Sequence, residues 1–340
     1  MPMTIKDVAK AAGVSPSTVS RVLNGQGNMA AGEETQKRIW EAVRSLGYTP
    51  NANARSLKKG YSLQQKVSKE IACFHARMID AHLDPFFSIL MNAVEQCIFA
   101  QGYTLRYQFT SENLPNIDWF IMDSSVDSLI VLGRPDADTI EFLQKHYRHI
   151  VYVGLQNLPF EIDQVISRGC RAAENSVHYL YKLGHRKICY MGETHSEQRY
   201  NGFLNAVEAL ELNLSREYIV DAKFTPTGGY DATQKILQQK LPFTAIFCAN
   251  DMTALGALKA LKEHGLKVPA DVSLIGVNDM EAIRYITPML TTNHIPIEEM
   301  GHAAAKLLID RMNGGHKLPI KMFLENHLIC RESCAPPQHK

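Results

Sequence analysis

The sequence has no long apolar segment. Of its 340 residues, 45% are hydrophobic and 21% are charged, which is the profile of a globular protein, but no apolar run approaches the roughly 18 residues of a membrane-spanning helix. Its first residues, MPMTIKDVAK, contain no apolar core of the kind found in secretory signal peptides. We therefore expect no membrane segment and a cytoplasmic location.

Cysteine is sparse and irregularly spaced. The seven cysteines form an odd number, and most lie inside apolar runs such as IACF and KICYM, which is typical of reduced, buried side chains. Cys330 and Cys334 are the only close pair, and a zinc site would need a second cluster. None of the thirteen histidines has metal-ligand spacing on one helix face. We expect no disulfide framework and no metal site.

Catalytic and cofactor motifs are also missing. The sequence contains no G-x-S-x-G, no H-E-x-x-H, no phosphate-binding loop and no dinucleotide-binding glycine pattern. This favours a protein that is not an enzyme, with no catalytic residues and no cofactor. Two alternatives stay open on this ground alone: an α/β enzyme that acts on sugars, and a sugar-binding protein without a regulatory role.

Charge is unevenly distributed along the chain. Residues 1–60 contain nine basic and four acidic residues, a net charge of +5, whereas the whole chain carries +1 and the remainder therefore −4. A basic head on a mildly acidic body concentrates attraction for a polyanion in one place. A solvated charged surface could have the same composition, so the charge does not decide by itself.

The basic head has the pattern of two short helices joined by a glycine turn. Thr4 can cap a first helix, with Asp7 in the position that closes a capping box. Gly13 ends that helix, and Ser15 can cap a second one. The positions predicted to face inward are Ile5, Val8, Ala9, Ala12, Val19, Val22 and Leu23.

The second helix, PSTVSRVLN, presents a surface suited to the major groove of DNA. Its outer side carries Ser17, Thr18, Ser20 and Arg21. Small hydroxyl side chains allow close approach to the bases, and arginine can bond guanine bidentately. A third helix, EETQKRIWEAVRSLG, can complete the core through Ile39, Val43 and Leu46. The pattern predicts a helix-turn-helix that binds double-stranded DNA.

The segment TIKDVAKAAGVSPSTVSRVLNG, followed by YTPNANARSLKKG, closely resembles the amino-terminal region of the LacI/GalR family of transcriptional repressors. The resemblance implies base contacts from Pro16, Ser17 and Arg21, and phosphate contacts from Thr4, Ser15, Thr18, Ser20 and Asn24. Residues 51–59 resemble the family's hinge helix, in which Ala54 and Leu57 would contact DNA and Leu57 would wedge into the minor groove. A plain linker is the alternative for this segment.

Beyond the head, apolar runs and helical patterns alternate. The strand-like runs are IACFH, TLRYQF, SLIVLG, HIVYVG, KICYMG, AIFCAN and SLIGVN, with helical patterns such as FSILMNAVEQCIFAQG and MTALGALKALKEHG between them. This alternation predicts parallel sheets covered on both faces, and the length favours two lobes. The predicted fold class is α/β, with an N-terminal helix-turn-helix domain and a two-lobed body of parallel sheets.

Ligands of such sheets bind beyond the carboxyl ends of the strands. Those ends carry His75, Gly133, Gly154, Gly192, Asn250-Asp251 and Asn278-Asp279. Asparagine and aspartate supply the directional hydrogen bonds that sugar hydroxyls need, although each could also be an ordinary turn residue. Asn250 and Asn278 are the strongest candidates because each follows a separate strand.

The resemblance to the family continues through LGHRKICYMG, RYNGF and PMLTTNHIP. It implies the fold of periplasmic sugar-binding proteins, with a sugar effector between the lobes. The expected effector-binding residues are His75, Asp84, Phe87, Arg199, Phe224, Asn250 and Asn278. The segment 84–87 and the triplet VND resemble the evolved β-galactosidase repressor branch, which suggests a galactoside or galactose.

The resemblance also implies a domain organisation. Residues 1–60 would form the DNA-binding domain and residues 61–340 the effector-binding and dimerisation domain. The first lobe would span about 61–163 plus 294–321, and the second about 164–293 plus 322–340. The end of the sequence has no leucine heptads, so we expect a homodimer on a near-palindromic operator, controlled by lobe rotation that changes the angle between the two heads.

Overall fold

The computed structural model describes residues 4–23, 31–46, 69–76, 85–111 and 126–338. The predicted hinge segment, 51–59, lies outside these ranges, as do Asn24 and Asp84. Within them, no helix combines the length and the apolar composition needed to cross a bilayer.

Three helices form the amino-terminal domain: α1 (Ile5–Ala12), α2 (Pro16–Leu23) and α3 (Glu33–Leu46). Apolar side chains at helical spacing meet in one small core, as their periodicity predicts. The buried members are Val8, Ala9, Ala12, Val19, Val22, Leu23, Ile39, Ala42 and Val43. Helix α1 ends at Gly13, whose φ of 66° lies in the left-handed region that favours glycine.

The first lobe is built on six parallel strands. They are β1 (Glu70–His75), β2 (Thr104–Thr110), β3 (Ser128–Leu132), β4 (His149–Gly154), β5 (Asp163–Ile166) and β11 (Lys321–Phe323). Their order across the sheet is β11-β5-β4-β3-β1-β2. One face is covered by α4 (Pro85–Ala100) and α10 (Ile297–Met312), and the other by α5 (Ala137–His146).

The second lobe repeats this plan. Its strands are β6 (Ile188–Gly192), β7 (Ile219–Asp221), β8 (Ala245–Cys248), β9 (Ser273–Asn278), β10 (Thr291–His294) and β12 (His327–Ile329). They lie in the order β12-β10-β9-β8-β6-β7. The helices α6 (Gly169–Lys182) and α7 (Gln198–Ala209) cover one face, and α8 (Pro226–Gln238) and α9 (Asp251–Glu263) cover the other.

Burial on both faces explains why the central strands are continuously apolar. In β1, Ile71 and Cys73 pack into one apolar cluster while Ala72 and Phe74 pack into another on the opposite face. The predicted α/β class and the two parallel-sheet lobes are confirmed. One strand departs from the prediction, since β12 runs antiparallel to β10.

Strand pairing corrects three details of the expected lobe boundaries. Residues 164–166 and 322–323, expected in the second lobe, belong to the first sheet because β5 pairs with β4 and β11 pairs with β5. His294, expected in the first lobe, pairs with Asn278 in the second sheet. The chain therefore passes between the lobes after β5, between β10 and α10, and after β11.

Candidate functional site

The start of α2 carries a cluster of exposed hydroxyl groups. Ser15 Oγ accepts a hydrogen bond from the backbone N–H of Thr18 at 3.1 Å, and it lies 2.7 Å from Ser17 Oγ and 2.8 Å from Thr18 Oγ1. This bond caps the helix, as the sequence predicts. Ser15, Pro16, Ser17 and Arg21 are exposed, and Thr18 and Ser20 are half-buried.

The exposed side of α2 therefore has the composition and shape of a major-groove reading surface. Thr4 is exposed as well, at the start of α1, where Asp7 Oδ2 accepts hydrogen bonds from the Thr4 backbone N–H at 2.8 Å and from Thr4 Oγ1 at 2.6 Å. The other predicted DNA contacts, Asn24, Ala54 and Leu57, lie outside the described residues.

A cleft lies between the two lobes, at the carboxyl ends of both sheets, and holds about 510 Å³ of unfilled space, its mouth included. The first lobe contributes Phe86, Phe87, Gly133, Arg134 and residues 154–156 to its lining, and the second contributes Glu197, Gln198, Arg199, Phe224 and Asn278. This is the position at which α/β sheets of this type bind ligands. The cleft combines aromatic faces with a few convergent polar groups.

Arg199 occupies the second-lobe wall of the cleft and is almost fully buried. Its Nε and Nη2 donate to the two carboxylate oxygens of Glu197, at 2.7 and 3.0 Å, and its Nη1 donates to the carbonyl of Ala249 at 2.7 Å. The guanidinium lies 4.3 Å from the ring centre of Phe224. Arg199 and Phe224, both predicted from the sequence, therefore form one stacked unit.

Arg134 joins the two lobes across the cleft. Gly133, at a φ of 94° that favours glycine, precedes it at the end of β3. The Arg134 guanidinium reaches the second lobe, where Nη1 lies 3.0 Å from Glu197 Oε2 and Nη2 bonds the carboxylate of Glu193. Its Nη1 also donates to the carbonyls of His195 and Ser196, each at 3.1 Å. This group holds the lobes together at the site.

The Glu197 carboxylate lies between two cations. Burial alone would raise its pKa, but the nearby guanidinium groups of Arg199 and Arg134, together with the hydrogen bonds from Arg199, outweigh burial and hold the pKa at about 2. Glu197 is thus an anion at neutral pH, with both of its oxygens engaged. Such a compensated buried charge is rigid, because losing one partner would leave the others unpaired.

Asn278 ends β9 at the floor of the cleft. Its side chain is buried, and its Oδ1 has no hydrogen-bond partner among the described residues. A buried amide oxygen without a partner carries a free-energy cost. Its backbone φ of 120° is rare for a residue other than glycine, and such conformations often occur at ligand sites.

Two predicted effector contacts do not line the cleft. The Asn250 amide caps α9: its Oδ1 accepts from the Thr253 backbone N–H at 2.9 Å and from Thr253 Oγ1 at 2.6 Å, and its Nδ2 donates to the Phe224 carbonyl. His75, the last residue of β1, is buried, and its Nε2 lies 2.8 Å from Oε1 of Gln108 on the neighbouring strand β2. Phe87 does line the cleft, as expected.

Arg134 and Glu197 were not predicted from the sequence. Arg134 directly follows Gly133, which the strand pattern places at a ligand-binding sheet edge, so its position after β3 could have indicated a place in the site. Glu197 stands two residues before Arg199, and no spacing rule marks a carboxylate there. Their pairing joins residues 63 positions apart and depends on how the two lobes meet.

The fold and the two sites define a bipartite regulator: a helix-turn-helix head that can read DNA, joined to a bilobal body that can hold a small ligand. Residues 4–51 match the family of bacterial regulatory proteins of the LacI type, and residues 177–334 match the periplasmic binding protein-like domain. The chain belongs to the LacI family.

Relatives along the whole chain agree with this assignment. The HTH-type transcriptional repressor PurR of Proteus mirabilis is 36% identical over 343 residues, which cover 98% of this chain and 97% of the relative. PurR of Shigella dysenteriae is 35% identical with the same coverage. The chain is accordingly a DNA-binding transcriptional repressor of the LacI family with a ligand-binding body.

Solved structures show the same architecture. A complex of the transcriptional regulator CelR with cellobiose is 25% identical, with a TM-score of 0.72 over 97% of this chain and 99% of that one. The Lac repressor dimer bound to its operator and the anti-inducer ONPF is 22% identical, with a TM-score of 0.70 over 98% and 100% of the two chains.

Proposed function

We propose that this repressor binds a near-palindromic operator as a homodimer and that a small sugar, bound between the lobes, controls its affinity for DNA. The genes under its control would then be genes of carbohydrate utilisation. The observation that carries the proposal is the cleft, whose lining includes the aromatic side chains of Phe86, Phe87 and Phe224 together with Asn278, the buried amide oxygen of which has no partner among the described residues.

A sugar suits this combination of groups. The apolar C–H faces of a pyranose or furanose ring pack on aromatic side chains, and its hydroxyls donate to acceptors such as Asn278 Oδ1. Two structural neighbours support this choice: CelR was solved with cellobiose, and a LacI family regulator of Enterococcus faecium, 26% identical, was solved with ribose. Among sugars we favour galactose or a galactoside, on the sequence of residues 84–87 and 277–279.

The PurR relatives favour a second candidate, a purine base. A flat base can lie against the same phenylalanines, and its ring N–H groups can donate to Asn278 Oδ1. The role in transcription is the same for either ligand. The two differ in which genes the repressor would control.

The homodimer is proposed from symmetry. A head of this size covers one half-site, and two heads related by a two-fold axis read two half-sites about one helical turn apart. The solved Lac repressor neighbour is a dimer on its operator, which supports the same arrangement for this chain.

A melting-temperature screen tests the effector. Ligands that bind the native state raise its melting temperature, so galactose, lactose, cellobiose, ribose, adenine and guanine are compared on the full chain, and the ligand that raises it is then measured by calorimetry. We expect galactose or lactose to raise it. A rise with adenine or guanine alone would replace the sugar by the purine base, and no rise with any compound would contradict both candidates.

A matched pair of variants tests whether the ligand binds in the cleft. Asn278→Gly removes the amide without straining a backbone whose φ is 120°, and we expect the ligand to bind about tenfold more weakly, in line with a lost hydrogen bond. Asn213→Ala, at an exposed residue outside the helices and strands, is the control. Equal affinity in the two variants would place the ligand elsewhere.

A further inference from the structure

We propose that Glu197 is a specificity-determining residue that closes the cleft to anionic ligands, so that the effector carries no negative charge. The inference rests on the proposed function, because it concerns the ligand of the same cleft. It makes a separate claim, however, about a residue to which neither the motif pattern nor the family resemblance assigned a role.

The charges that line the cleft are already balanced. Among the described lining residues, the charged ones are Arg134, Glu197 and Arg199, and Glu193 pairs with Arg134 from beside the cleft. Two guanidinium groups thus face two carboxylates. A ligand with a carboxylate or phosphate would add an uncompensated negative charge to a site whose charged groups are largely buried, where charge interactions are stronger than in water.

Glu197 also accepts the hydrogen bonds from Arg199 that an anionic ligand would need. An arginine that receives an anionic ligand presents a pair of N–H groups to it. In Arg199 that pair, Nε–H and Nη2–H, is directed at the two oxygens of Glu197, and Nη1 donates to a backbone carbonyl. The carboxylate of Glu197 therefore occupies the place that a ligand carboxylate would take.

The positive charge of Arg134, which comes from the first lobe, is also neutralised by carboxylates of the second lobe. Its Nη1 lies 3.0 Å from Glu197 Oε2, and its Nη2 bonds Glu193. An anion that displaced Glu197 from Arg134 would remove one of the contacts that this guanidinium makes with the second lobe. The low pKa of Glu197 keeps its carboxylate charged across the physiological range.

One acceptor in the lining of the cleft, the amide oxygen of Asn278, lacks a hydrogen-bond donor. Asn278 Oδ1 is buried and without a partner among the described residues. A hydroxyl or a ring N–H can satisfy it, whereas an ionised carboxylate or phosphate offers acceptors only. The occupied guanidinium groups disfavour a negative charge, and the Asn278 acceptor favours a donor. Together the two features favour uncharged, hydrogen-bond-donating ligands.

The test compares two ligands of equal size that differ in charge. Galacturonic acid is ionised at pH 7.5, and galacturonamide is its neutral counterpart; purine-6-carboxylate and purine-6-carboxamide serve if the melting screen selects a base. Calorimetry on the full wild-type chain should show the amide binding at least about 100-fold more tightly than the acid, as expected for an uncompensated charge in such a site.

The variant Glu197→Gln removes the carboxylate and leaves Arg134 and Arg199 in excess. We expect the preference for the amide to fall by about tenfold or more, through tighter binding of the acid. Glu197→Asp keeps the charge and should keep the preference. The double variant Glu197→Gln/Arg134→Gln rebalances the charge and should restore rejection of the acid, an effect that a purely structural role of Glu197 does not predict.

The outcomes separate this inference from the proposed function. Equal binding of acid and amide by the wild type, or an unchanged preference in Glu197→Gln, overturns the role of Glu197 and leaves the effector cleft standing. Failure of both neutral ligands to bind the wild type contradicts the proposed ligands, and the inference falls with them. If Glu197→Gln does not fold, as judged by its melting curve, Glu193→Gln at the partly exposed pair must lower the preference in the same direction.

Discussion

Two buried carboxylates of the second lobe are compensated in different ways. Glu197 faces two guanidinium groups, whereas Asp251, fully buried at the start of α9, has hydrogen bonds from the Met280 backbone N–H at 2.8 Å and from Thr292 Oγ1 at 2.7 Å. Hydrogen bonds alone do not offset its burial, and the charge of nearby Asp279 opposes ionisation further. The pKa of Asp251 is accordingly raised to about 7.

This raised pKa predicts how stability depends on pH. Between about pH 4 and pH 7 the folded chain holds a proton on Asp251 that the unfolded chain has released, so the free energy of unfolding falls as the pH rises through this interval and levels off above it. The contribution is at most about 4 kcal/mol. Asp251→Asn should flatten the change in melting temperature between pH 5 and pH 8.

The control is Asp231→Asn, at an exposed position of α8, which should leave the pH profile of the wild type unchanged. Melting curves of the three proteins in one buffer series make the comparison. If Asp251→Asn kept the full pH dependence, another group would be its source.

Single residues also show how much of the site could be predicted from the sequence. Asn250 and Asn278 follow equivalent strands and are indistinguishable in sequence, yet one caps a helix and the other lines the cleft. The difference arises from the loop after each strand: Asn250 leads directly into α9, while Asn278 is held at a φ of 120°. Arg199, Phe224 and Phe87 could be placed in the cleft from motifs, but the ion pairs around Arg134 could not.

At the scale of elements, prediction succeeded where periodicity was strong. All seven strand-like apolar runs form strands, and the helix-turn-helix follows its predicted caps. The short strands β5, β7, β10, β11 and β12 were missed. Strand β10 is TTNH, and two of its buried side chains donate hydrogen bonds to residues far away in the sequence: Thr292 Oγ1 to Asp251, and Asn293 Nδ2 to Ser176. Such a strand has no local hydrophobic signal, because its stability comes from tertiary hydrogen bonds.

Helix α2 provides the prediction at this scale. Arg21 is exposed on the outer side of the helix, while the neighbouring Val19 and Val22 are buried, so Arg21→Ala removes the proposed base-reading group and leaves the core intact. We expect the preference for an operator, selected from random duplex DNA, over scrambled DNA to fall about 10- to 100-fold.

Gel-shift titrations across a salt series measure this preference, with circular dichroism as the check on folding. Lys37→Ala, which removes one exposed positive charge from α3, is the matched control and should weaken binding to all sequences about equally, if at all. Retained selectivity in Arg21→Ala would assign base reading to another side chain.

At the scale of the whole molecule, the two lobes share more than the chain that crosses between them. One continuous apolar cluster includes Phe87 of α4 and Val151 of β4 from the first lobe, with Phe203 of α7 and Phe247 of β8 from the second. The Arg134 ion pairs add a polar contact at the cleft itself. A ligand that binds there touches both lobes and so stabilises one relative arrangement of them over others.

The proposed coupling between effector and DNA can be measured in both directions. By linkage, the factor by which the effector changes operator affinity equals the factor by which the operator changes effector affinity, whether the effector releases or recruits the repressor. Both factors are obtained by calorimetry and gel shift on the full chain with the ligand selected by the melting screen. In the wild type we expect the two factors to agree.

Arg134→Gln tests whether the contact between the lobes carries that coupling. Removing the guanidinium removes the cross-lobe ion pairs with Glu193 and Glu197, so the arrangement of the lobes described above loses stability. We expect about tenfold weaker effector binding, with both coupling factors moving toward one. Arg171→Gln is the control, because its guanidinium is 62% exposed and pairs with Glu174 within the same helix. If Arg134→Gln bound effector weakly but kept both factors, Arg134 would hold the ligand site together without linking it to DNA, and the coupling would have to run through the apolar cluster instead.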